Sequence, residues 1–72
     1  MISRKIGTGN LREMEIFADE VNRDIKKLGY NLNASVEVIK IEKYGETINS
    51  NFGNVILIGK SNEIDSFIEE AK

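Results

Sequence analysis

A chain of 72 residues with neither cysteine nor histidine has to be held together by packing alone. That length lies at the lower end of what one hydrophobic core can sustain, and chains so short usually add a disulfide, a metal or a partner subunit. The first two need side chains that this sequence does not contain. Self-association is the route that remains, and there is room for a single small domain, residues 1–72. With 40% hydrophobic and 31% charged residues, the composition is that of a chain that folds.

The same missing residues narrow the chemistry. Without His there is no imidazole base or triad, and without Cys there is no thiol nucleophile or soft metal ligand. Glu13, Glu20 and Asp24 lie near one another on a helix, but Arg12, Arg23 and Lys27 interleave with them as on a solvated face. The chain is read as non-enzymatic, with no cofactor and no metal. A net charge of −2 supplies no general attraction to nucleic acid or anionic membrane. Tyr30, Tyr44 and Phe52 have faces that bases stack on, but Glu37, Glu42 and Glu46 cancel Lys40 and Lys43 nearby, so no nucleic-acid partner is expected. Met1 to Ile6 does not read as an export signal, and Val55-Ile56-Leu57-Ile58 is far too short to cross a bilayer, so a cytoplasmic location without membrane contact is expected.

Along the chain the pattern reads βαββα. Ile2 to Ile6 is a short strand, and Gly7-Thr8-Gly9-Asn10 is loop chemistry leading into a helix. Asn10 and Glu13 have capping-box spacing, and Leu11, Met14, Phe17, Ala18, Val21, Ile25 and Leu28 fall within a sector of about 120° at 100° per residue. Lys26 and Lys27 complement the helix dipole at its end, and Gly29 suits a left-handed stop, so the helix ends at Leu28. From Ala34 to Tyr44 the period is two, yet Val36 and Val38 lie on one face and Ile39 and Ile41 on the other. Either a bulge interrupts the strand at Val38-Ile39 or both faces are buried. Tyr44 to Gly53 reads as a turn-rich connection with room for a short strand at Glu46 to Asn49. Asn54 to Gly59 is a third strand, and Ser61 or Asn62 caps a final helix carrying Ile64, Phe67, Ile68 and Ala71. The fold class is therefore α+β, a three- to four-stranded sheet with one long amphipathic helix on one face.

Two kinds of site follow. Strand, glycine turn and helix start together point backbone N–H groups at an anion, so Gly7, Thr8, Gly9, Asn10 and Arg12 form a candidate nucleotide or anion site. The bland alternative is a tight turn capped by Asn10, since the third glycine of a dinucleotide fingerprint and the ending of a phosphate loop are both missing. The second site is an interface. In Val55-Ile56-Leu57-Ile58 alternate side chains point away from the long helix, and Ile39 and Ile41 join Ile56 and Ile58 on that second face. A final helix of about ten residues spans only about 15 Å, so a second subunit is the expected cover. Ile16, nearly opposite the core stripe of the long helix, is a separate candidate contact.

A short first strand, the acidic helix from Glu13 to Leu28, Val36-Glu37-Val38-Ile39-Lys40-Ile41 and Val55-Ile56-Leu57-Ile58 together resemble the very short βαββ proteins of Gram-positive bacteria and their phages. Small sporulation-associated proteins are among them, and most have no assigned biochemistry. The resemblance covers about residues 2 to 60, and the absence of Pro, Trp, Cys and His beside abundant Ile, Asn, Lys and Glu suits an AT-rich genome such as that of a low-GC Gram-positive bacterium or its phage. The same order also resembles dodecins, flavin-binding proteins that assemble into shells; there the flavin is stacked by Trp, and this chain has none. The expected role is a homo-oligomeric interaction or regulatory module, phage-encoded and directed at a host protein on one version of this reading. The alternative is a small-ligand binder using Gly7 to Asn10.

Overall fold

The computed structural model describes residues 1–71, as β1 (Ile2–Asn10), α1 (Leu11–Leu28), β2 (Asn33–Lys43), β3 (Glu46–Gly59) and α2 (Ser61–Glu70). The βαββα order is the expected one. The long helix forms where its apolar period and its caps require: Asn10 Oδ1 accepts the Arg12 amide at 2.9 Å, and Ala18, Val21 and Ile25 are buried along one stripe. Gly29 closes it in the left-handed region at φ 81°, and the amides of Gly29 and Tyr30 both donate to the Ile25 carbonyl. Leu28, expected in the stripe, is 42% exposed.

The three strands form one antiparallel sheet in the order β1-β3-β2. Central β3 turns Val55 and Leu57, both fully buried, toward the helices. The final helix packs on that same side: Ile64 and Phe67 join Ala18, Val21, Ile25, Val55 and Leu57 in one core. Polar contacts fasten it there. Arg4 forms an ion pair with Asp65, the Asn31 amide donates to Glu63 at 3.1 Å, and Tyr30 packs edge-on against Phe67 with ring centroids 5.6 Å apart. The cap is Lys60 rather than Ser61 or Asn62, and its carbonyl accepts the Ile64 amide.

Three expectations are corrected. The first strand does not stop at Ile6 but runs through Gly7-Thr8-Gly9-Asn10 into α1. An extra residue at Ile6, where the register with β3 shifts between Lys5 and Gly7, swings that side chain onto the core, as a bulge does. Gly7 then faces α1 so closely that an added Cβ would sit 3.0 Å from Phe17 Cε2, so this glycine serves close packing rather than a turn. Second, no long loop separates β2 from β3. The chain reverses at Tyr44-Gly45, with φ of 54° and 78°, as in a type I′ hairpin, and β3 begins at once at Glu46. Third, the irregularity between Val38 and Lys40 falls where expected, but its extra residues are on β3. Gly53 and Asn49 pair with Val38 and Lys40, so Ser50 to Phe52 face Ile39 alone. The Ser50 hydroxyl donates to the Ile39 carbonyl at 2.6 Å and accepts the Phe52 amide at 3.2 Å, which satisfies the polar groups freed by the mismatch.

Candidate functional site: an open sheet face and a free strand edge

With both helices on one side, the other face of the sheet carries no helix among the described residues. Strand alternation places Ile56 and Ile58 on this open face, opposite Lys5 and Ser3 of β1 and Ser35 and Asn33 of β2. An apolar line down the central strand is thus framed by polar neighbours. Ile39 and Ile41 lie on the same face farther along β2, separated from Ile56 and Ile58 by the polar row of Thr8, Asn54 and Glu37, so the structure puts the four expected isoleucines on one face but in two groups. It adds two residues of the Tyr44 to Gly53 stretch: Ile48, opposite Ile41, within the short strand allowed for at Glu46 to Asn49, and Phe52, opposite Asn10. Ile41 is 45% exposed and Ile48 40%. Ile16 is also exposed, but on the outward face of α1, on the far side of the molecule.

Half of this apolar line stands on an arm. The ladder between β1 and β3 ends at Asn10 and Phe52, whereas β2 and β3 remain paired out to Lys43 and Glu46. The two-stranded ribbon lengthens the molecule to 45 × 23 × 16 Å. A ribbon of two strands is only marginally stable in water, because it has one face of side chains and no third strand to pack with. Tyr44 at its tip is 94% exposed, with the Lys43 ammonium 5.6 Å from its ring centroid.

The arm also carries a free edge. In an extended strand the backbone N–H and C=O of successive residues point alternately to the two sides. The Ile39 carbonyl is turned inward to Ser50, so Ile39 and Ile41 face β3 and the backbone groups of Val38, Lys40 and Glu42 face out. The start of β2 obeys the same alternation. There the outward amide and carbonyl of Ala34 are taken up by the Asn22 side chain of α1, through two hydrogen bonds of 2.8 Å. Asn22 thus occupies the place of a fourth strand at Ala34 and leaves the edge beyond it uncovered. No motif in the sequence announces this role.

The candidate anion residues are arranged differently. Gly7, Thr8, Gly9 and Asn10 lie in a strand, where backbone amides alternate instead of converging. The Thr8 hydroxyl donates to Asn54, and the Arg12 amide is already taken by Asn10. A polar hollow of about 590 Å³ does open at the start of α1, lined by Asn10, Leu11, Arg12, Glu15 and Asn51, so a cation and a carboxylate both border it. Among the described residues no three His, Cys, Asp or Glu side chains gather as a metal site would require, and no helix is long and apolar enough to cross a membrane. No family model, curated protein or solved structure matches this chain.

Proposed function

We propose that the protein is a non-enzymatic interaction module whose first partner is a second copy of itself, joined through the uncovered face or edge of the sheet. One observation carries the reading: α2 packs on the same face of the sheet as α1, so among the described residues no helix lies over Ile39, Ile41, Ile48, Ile56 and Ile58. Full burial of an isoleucine contributes roughly 1.5–3 kcal/mol, and these residues, already partly shielded, still forgo a share of that in a monomer. For a domain this small the total is comparable with its whole stability. A polar frame around an apolar line is also the usual form of a surface that associates specifically.

The test is sedimentation equilibrium together with thermal unfolding over a range of protein concentrations. A dimer or larger assembly, with a melting temperature that rises with concentration, is expected. Ile41→Ser shifts the assembly toward monomer with little loss of monomer stability, because Ile41 is outside the core. Leu57→Ser is no test of the interface, since Leu57 is core. A parent protein that stays at 8.1 kDa at about 100 µM, with a concentration-independent melting temperature, overturns the proposal.

A further inference from the structure

We infer that two copies of this chain pair antiparallel along the free edge of β2, centred on Lys40, to form one continuous six-stranded sheet. The inference rests on the self-association proposed above and specifies where the copies meet. Of the two outer strands, β1 is interrupted by its bulge at Ile6, the kind of irregularity that defends a sheet edge. β2 has none of its own, because the extra residues of its mismatch are on β3. Its outward backbone groups are answered by Asn22 at Ala34 and by no strand from Val36 onward.

Register follows from the side chains. Because the outward groups belong to even-numbered residues, a two-fold pairing must match even with even and odd with odd. Centred on Lys40, the open face then sets Glu37 opposite Lys43 of the partner subunit and Ile39 opposite Ile41 of the partner subunit, and the axis repeats both pairs. Four isoleucines thus meet between two ion pairs. These odd residues would be the non-hydrogen-bonded positions, where facing side chains approach most closely.

Neighbouring registers are worse on that face. Centring on Ile39 sets Glu37 against Ile41 of the partner subunit, and centring on Ile41 sets Ile39 against Lys43 of the partner subunit. Each places charges against isoleucines. The chosen register has two costs on the other face, Glu42 facing Val38 of the partner subunit and Lys40 facing its own copy at the axis, the latter softened by Glu42 two residues away on each strand. Pairing would also give the arm the third strand it lacks.

The experiment uses the whole chain. Glu37, Lys40, Glu42 and Lys43 are all exposed, and circular dichroism checks that each variant keeps its fold. Glu37→Lys and Lys43→Glu each convert two attractions into two repulsions and weaken association about tenfold. The double variant regains the parent affinity. Six residues of strand separate the two positions by about 20 Å within one chain, so such rescue acts only between copies. Lys40→Cys, whose Cα atoms would face each other at about 5.5 Å, crosslinks readily on mild oxidation. Glu42→Cys, about 13 Å from its own copy in this register, crosslinks no faster than chance collision. A dimer in which the double variant is no tighter than the single ones, or in which the two cysteine variants crosslink alike, overturns edge pairing and leaves self-association standing. A parent protein that is monomeric at every concentration overturns both.

Discussion

Asn22→Ala tests how α1 holds the sheet. The Asn22 amide spans both backbone groups of Ala34, donating from Nδ2 to the carbonyl and accepting the amide N–H on Oδ1, each at 2.8 Å. Ala34 is only 5% exposed, so water cannot readily replace the lost partner. A hydrogen bond contributes about 1 kcal/mol net, and a buried group left without one costs about 1–3 kcal/mol. Two such groups make the gross loss about 2–6 kcal/mol. Alanine returns roughly 0.5 kcal/mol of helix propensity at this mid-helix position. The net expectation is a loss of about 1.5–5.5 kcal/mol, a fall in melting temperature of at least about 6 °C for a domain of this size. Denaturant unfolding at one fixed low concentration measures it without interference from assembly. Asn22→Asp, which keeps the acceptor but sets a carboxylate oxygen against the Ala34 carbonyl, is expected to lose at least as much. If Asn22→Ala costs less than about 0.5 kcal/mol, Asn22 does not serve as the substitute strand.

Asn10→Ala removes the α1 cap and lowers stability by about 0.5–2 kcal/mol in the same denaturant titration; loss of binding to a phosphate or nucleotide probe at unchanged stability would revive the anion site at Gly7 to Arg12. The Tyr30 hydroxyl donates to Glu70, and this hydrogen bond, with burial and the nearby Glu70 and Glu63 charges, holds its pKa above the ordinary phenol value. The folded state therefore keeps a proton that the unfolded state releases, so this contribution to stability is present below about pH 10 and fades as pH climbs through the folded pKa. In a Tyr44→Phe background, which leaves Tyr30 as the single phenol, absorbance titration is expected to show a raised midpoint that falls on Glu70→Gln. An unchanged midpoint would mean that the Glu70 contact does not form in solution.

Local periodicity and end chemistry settled α1 from the sequence alone. Seven apolar residues at helical spacing, Asn10 before them and Gly29 after them admit one reading, because the determinants of a helix lie within the residues that form it. The short apolar strands and the two-sided pattern of β2 were legible for the same reason. The hairpin was not. A type I′ turn normally announces itself with Asn, Asp or Gly at both central positions, and here Tyr44 takes a left-handed conformation that its side chain does not favour. The first half of β3 is polar and owes its strand conformation to pairing with β2, a partner outside its own local sequence. The glycines of β1 misled in the opposite sense: Gly-Thr-Gly-Asn has turn composition, but what Gly7 answers is the ring of Phe17 ten residues later. Which face α2 covers, and hence which isoleucines are left bare, was likewise a tertiary decision. An amphipathic helix specifies that it must bury one stripe, and both sheet faces offered apolar side chains to receive it. In the fold Ile64 and Phe67 pack into one core with Val21, Ile25 and Leu57, a choice of face that the α2 sequence does not specify by itself.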